Sequence, residues 1–190
     1  RLLEEAGWSV VDGALVNAAG TRFAFEILLQ NGNDDMIAVA TIYAEALTRL
    51  GMEVRVTTVD SAQYVERTGK FDFDMTHYIR SVSLSPGNEQ SLYWGSAAAE
   101  VQGSRNWAGI ASRAVDAMIN AMLTAKTREE FVTATRALDW VLTAGRYVVP
   151  IWYSDVSRLA HRRELRYPER LPIYGDWIGF QPDVWWNQAD

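Results

Sequence analysis

The chain of 190 residues contains no cysteine. Disulfides, thiolate metal sites and a cysteine nucleophile are excluded, and the cellular compartment stays open, since oxidising surroundings permit disulfides without requiring them. Basic residues are in deficit: 18 Lys and Arg face 24 Asp and Glu, a net charge of −6. Phosphate binding needs a basic field, so no nucleic-acid partner is expected. No window approaches the roughly 18–20 apolar residues of a membrane helix. His77 and His161 are the only histidines, and neither has a partner at metal-ligand spacing. A G-x-S-x-G elbow, a phosphate loop and a G-x-G-x-x-G fingerprint are also missing. Neither a catalytic residue, a cofactor nor a metal is expected.

What is present is an ordinary globular composition, 48% apolar and 22% charged, with eight Trp and eight Tyr. The aromatic excess fits either a large aromatic core or an aromatic-lined cleft. Arg1 to Trp8 reads as the last turns of a helix capped by Gly7. It lacks Met, a charged n-region and an apolar h-region. The expectation is that the chain is the carboxyl-terminal portion of something longer.

Phe23–Gln30 is a near-continuous apolar run, predicting a buried strand. After the break at Asn31-Gly32-Asn33, Asp34 and Asp35 sit in the first turn of a helix, where acids complement the dipole. Its stripe is Ile37, Ala40, Ala44, Leu47 and Leu50, and Gly51 ends it. Met52–Val59 alternates with period two, predicting a half-buried strand. Ser61–Arg67 predicts a short helix capped by Asp60 or Ser61. Phe71–Ile79 reads as a third strand. This βαβαβ order predicts parallel neighbours with right-handed crossovers. Asn88–Ser112 is a long loop, functional or holding a short helix of its own. Two helices follow, one from Ser112 and one opened by the capping box Thr127–Glu130. Tyr147–Tyr153 predicts a strand at an edge because of Pro150, and residues 155–190 a tail that wraps the domain.

The loop leaving a strand's carboxyl end commonly holds small ligands in such folds. A binding surface is therefore expected around Tyr78–Leu84. Arg80 would grip a ligand carboxylate in bidentate fashion, or form a surface ion pair. Asn106 and Trp107 suit peptide or sugar contact, or Trp107 lids the core. Asp72 and Asp74 share a strand face, which suits acid–base work, yet acids at a strand's entry commonly bond neighbouring amides. The amide-bonding role is favoured.

Several segments together resemble the carboxyl-terminal lobe of the family 5 extracellular solute-binding proteins, receptors of ABC importers. They are Leu2-Leu3-Glu4-Glu5-Ala6-Gly7-Trp8, Ala46 through Val54, Phe71-Asp72-Phe73-Asp74, Asn106-Trp107-Ala108-Gly109 with Val115-Asp116, and Val149 through Tyr153. Ser83 through Glu89, Arg136 through Asp139 and Trp185-Trp186 are similar to the oligopeptide and microcin-type subgroup. The resemblance implies an α/β, type II periplasmic-binding-protein-like lobe, with a largely parallel sheet flanked by helices. Residues 1–190 would be one lobe of a longer, two-lobed periplasmic receptor, a monomer that closes on peptides or peptide-like solutes and docks on a membrane permease. Ligand contacts are expected at Tyr78, Arg80, Ser83, Leu84, Asn106 and Trp107. Ser83 stands where the family often has an acid pairing with a peptide amine, and a hydroxyl supplies no counter-charge. The competing expectations are an α/β hydrolase, which lacks a visible nucleophile–base pair, and a sensory domain on the same fold.

Overall fold

Four buried residues in succession, Glu26–Leu29, mark the strand from which the fold is built. A computed structural model describes residues 1–80 and 85–188. Two compact units result, Arg1–Val148 and Val149–Asp190.

The first unit opens with a single helical turn, α1 (Leu2–Glu5), and a hairpin of β1 (Trp8–Val11) and β2 (Ala14–Asn17). Asp12 and Gly13 turn the hairpin with φ of 49° and 80°, as a two-residue Asp-Gly turn requires. The parallel sheet then has the order β4 (Glu53–Val59), β3 (Ala24–Gln30), β5 (Met75–Thr76). β3 pairs with β4 from Ala24↔Glu53 to Gln30↔Val59, and with β5 at Ile27↔Met75 and Leu28↔Thr76. A central strand flanked on both edges is buried, and its sequence is correspondingly apolar.

Helix α2 (Asp34–Thr48) joins β3 to β4, and α3 (Ser61–Gly69) joins β4 to β5. Met36 and Ala40 of α2 pack on Ile27 and Leu29. Gly51 stands at φ +87° after α2, and an added Cβ would meet the Leu15 amide nitrogen at 2.8 Å. Its carbonyl accepts from that amide at 2.7 Å, locking the hairpin to the helix end. Asp60 caps α3 by accepting from the Gln63 amide.

The third expected strand is shorter than its sequence suggests. Phe71 adopts φ +58°, and the chain turns there instead of extending; only Met75 and Thr76 pair. The Asn88–Ser112 stretch carries its own helix, α4 (Glu89–Trp94), and a 3₁₀ turn at Ser96–Ala98. Helices α5 (Arg113–Thr124) and α6 (Arg128–Gly145) then form a second core. Ile110, Val115, Ile119, Met122, Ala134 and Leu138 are its buried members, and the capping box at Thr127 and Glu130 is formed.

The second unit has little regular structure: β6 (Leu165–Arg166) pairs antiparallel with β7 (Trp186–Asn187), and α7 (Gln181–Val184) is one turn. His161, Tyr167 and Trp185 cluster, as do Tyr174, Trp177 and Phe180. Residues 147–153 form no strand, contrary to the sequence expectation. Pro150 has no amide to give, and among the described residues no strand pairs with this stretch, so Trp152 and Tyr153 stay exposed.

Candidate functional site

Parallel pairing puts the carboxyl ends of β3, β4 and β5 on one side, where the connecting loops leave a hollow. There Asn31-Gly32-Asn33 must reverse the chain. Gly32 takes φ +89°, and Asn33 caps α2 by accepting from the Met36 amide at 3.1 Å. The Asn31 amide donates to the Val59 carbonyl at 2.8 Å, tying this turn to the neighbouring strand. A concavity of about 440 Å³ results. Its lining includes Gln30, Asn31 and Asn33 and the rings of Tyr64, His77, Tyr78 and Trp107. No carboxylate is among its described lining residues.

Trp107 reaches the hollow because of Asn106. That side chain is 0% exposed. Its amide nitrogen donates to the Gly95 and Ile110 carbonyls at 3.1 and 2.9 Å, and its oxygen accepts from the Ile110 amide at 2.9 Å. These bonds fold the loop around the carboxamide and hold the following residue outward. The Tyr78 ring meets Trp107 edge to face at 4.8 Å, with Tyr64 at 6.4 Å and Phe73 at 6.2 Å. Tyr64 is anchored in turn: its hydroxyl donates to the His77 carbonyl and shares a hydrogen bond with Thr76, both at 2.9 Å. Burial raises the Tyr64 phenol and lowers the His77 imidazole from their usual values, so both groups are neutral near pH 7.

Arg80 leaves the same strand. Its guanidinium carbon lies 3.7 Å from the Tyr93 ring centroid, 4.3 Å from Trp94 and 5.0 Å from Tyr78. It is thus set among aromatic faces and not in a surface ion pair with any described acid. Ser83 and Leu84 lie outside the described residues.

At the opposite, amino-terminal end of the sheet the charged side chains pair with one another. Arg67 donates to Glu26 at 2.5 Å and to Asp72 at 2.8 Å; Asp74 accepts the Glu26 amide at 2.9 Å. The Arg67 hydrogen bond holds the Glu26 carboxyl below its ordinary range. Both strand acids therefore have structural roles.

The profile of the bacterial extracellular solute-binding proteins, family 5, matches residues 1–101, just over half of the chain. The chain belongs to this family. Among curated family 5 relatives, "Uncharacterized protein y4wM" of Sinorhizobium fredii is 47% identical over 190 residues, covering 100% of this chain and 28% of its own length. "Probable peptide-binding protein YejA" of Agrobacterium fabrum is 42% identical over 188 residues, covering 98% of this chain and 30% of its own. The chain thus spans less than a third of these relatives. Among solved structures, the oligopeptide-binding protein AppA of Bacillus subtilis, in complex with a nonapeptide, superposes with a TM-score of 0.68 at 22% identity. The match covers 77% of this chain and 29% of AppA. The fold is that of a type II periplasmic binding protein, α/β with a parallel sheet and flanking helices.

Of the residues singled out in the sequence, Tyr78 and Trp107 meet in the hollow, Arg80 adjoins Tyr78, and Asn106 is withdrawn into the protein as a brace. Sequence reasoning missed Tyr64, the Asn31–Asn33 turn, and Tyr93 with Trp94 around Arg80. The turn was readable only as a break. The rule that all strands of a parallel sheet deliver their carboxyl ends to one side was the signal for it.

Proposed function

We propose that this chain is the ligand-holding lobe of a longer, two-lobed periplasmic receptor. The receptor binds peptides or peptide-like solutes, hands them to an ABC permease and carries out no catalysis. The observation that carries this reading is one hollow lined both by the Trp107–Tyr78 pair and by Gln30, Asn31 and Asn33. Aromatic faces and neutral hydrogen-bonding groups suit peptide units, which are flat, polar and uncharged. A single lobe presents half of such a site, so the full-length, monomeric receptor is the species that closes on its ligand. The relative with a peptide-binding name and the peptide-bound neighbour support the same ligand class.

The test is ligand capture by the full-length protein, with mass spectrometry of what co-purifies and calorimetry with the captured peptides. Trp107→Ala is expected to weaken peptide binding by about 30-fold or more, the loss typical of an aromatic anchor. Unchanged affinity in that variant would remove the hollow as the site.

A further inference from the structure

Arg80 is a half-buried cation that no described acid pairs. Arg1, Arg22, Arg55, Arg67 and Lys70 each have a carboxylate within 4.0 Å; Arg80 has none among the described residues. Of the acids flanking it in sequence, Asp72 pairs with Arg67, Asp74 accepts the Glu26 amide, and Glu89 directs its carboxylate to the Gly87 amide at 2.9 Å and the Gln90 side chain at 3.1 Å. Tyr93, Trp94 and Tyr78 cover the guanidinium. Ring faces offset part of a cation's charge but accept nothing from N–H groups lying in the guanidinium plane. Accordingly Nε and Nη1 of Arg80 are buried without a hydrogen-bond partner among the described residues. Buried donors left unmatched are costly, and the ones that persist in a fold call for an acceptor from elsewhere.

A second cation stands at the same ring. Arg105 donates from Nη1 to the Tyr93 hydroxyl at 3.0 Å, its guanidinium 5.8 Å from the ring centroid, and it too has no paired acid among the described residues. The locus is positive in a chain of net negative charge. It also adjoins the hollow: Tyr78 touches Trp107 on one hand and Arg80 on the other.

We infer that Arg80 receives a carboxylate of the bound solute, so that the receptor selects ligands carrying a free acid group next to the portion lying on Tyr78 and Trp107. This rests on the peptide-receptor reading and narrows its ligand class. The acid is either the peptide's carboxyl terminus or an Asp or Glu side chain, and one experiment separates them.

Full-length protein, stripped of ligand by unfolding and refolding, is offered four tetrapeptide pools: free acid or carboxyl-terminal amide, each with or without Asp and Glu. Mass spectrometry quantifies what is retained. Wild type is expected to retain acid-bearing pools about 10- to 100-fold over the amidated pool lacking Asp and Glu. If amidation is tolerated once Asp or Glu is present, the side chain is the acid; if not, the terminus is. Arg80→Gln should bring the ratio near one, and Arg80→Lys should keep part of the preference. Should Arg80→Gln fail to fold, a lowered ratio in Arg80→Lys carries the inference and an unchanged one overturns it. Equal retention of all pools by wild type, or a preference surviving Arg80→Gln, overturns the inference and leaves the receptor reading standing. Capture of no pool by wild type overturns both.

Discussion

The two ends of the short strand β5 were built for opposite purposes. At its amino end, Asp72, Asp74, Glu26 and Arg67 use one another up, every charge meeting a partner within hydrogen-bond distance. At its carboxyl end, Arg80 has aromatic neighbours but no described acceptor, and Tyr78, 44% exposed, leans on a Trp107 that lines a hollow. Five residues of chain, 75–79, separate the paired polar network from Arg80. Acid pairs alone do not mark a site. A candidate site is better sought where buried polar groups stay unmatched among the described residues, since such groups call for an explanation.

The contrast breaks most visibly if a brace at the open end fails. Asn106→Ala would leave the Gly95 and Ile110 carbonyls and the Ile110 amide unpaired in the interior. A loss of about 3 kcal/mol is expected, visible as a lower midpoint in chemical unfolding of the full-length protein, together with lost peptide capture as Trp107 is released. Next comes the sealed end. Arg67→Met leaves the buried Glu26 carboxylate with its longer 3.5 Å contact to Arg55 and should cost about 2 kcal/mol, while peptide affinity changes less than about threefold. If Arg67→Met weakened binding as strongly as Trp107→Ala, the division between the two ends would be false.

Acid should reveal the sealed end as well. The Glu26 carboxyl is lowered below its ordinary value of 4.5, mainly by the Arg67 hydrogen bond. The folded state therefore binds its proton less readily than the unfolded one. Its stabilisation is complete above about pH 4.5 and is lost as pH falls through the lowered folded value. Unfolding midpoints measured below pH 5 should fall less steeply in Glu26→Gln than in wild type. Equal slopes would show that Glu26 carries no linkage.

Much of this division was legible in the sequence. The apolar run of β3, the acids opening α2, the alternation in β4 and the capping box of α6 each follow from a local rule, and each forms where the rule puts it. Tyr78 and Trp107 were singled out because aromatic residues at strand ends and in ordered loops suit ligands, and their rings meet at the hollow. The burial of Asn106 was not legible, since nothing local distinguishes a carboxamide facing solvent from one enclosed by its own loop. Nor was the shortness of β5. Alternating Phe and Asp residues look like a strand, but Phe71 turns left-handed, and the acids are spent on Arg67 and on the Glu26 amide, partners 5 and 48 residues away. The box around Arg80 draws Tyr93 and Trp94 from a helix no periodicity announced. Specific side-chain partners, some near and some far in the chain, decided each of these, and a single sequence does not display them.

The smallest effect expected concerns His77, which sits at the open end and lowers its affinity for a proton because burial disfavours the imidazolium. The unfolded chain takes up a proton near the ordinary value of 6.5, and the folded chain only at lower pH. Stability is therefore full above about pH 6.5 and declines as pH falls toward the lowered folded value. Because the ring lines the hollow, a bound peptide that buries it further would deepen the shift. Peptide affinity should then weaken by a few-fold between pH 7 and pH 5.5, and His77→Gln should flatten that slope without altering affinity at pH 7.5. Calorimetry at the two pH values checks both. A slope that persists in His77→Gln would move the titrating group elsewhere, and with it this residue's place in the wall of the hollow.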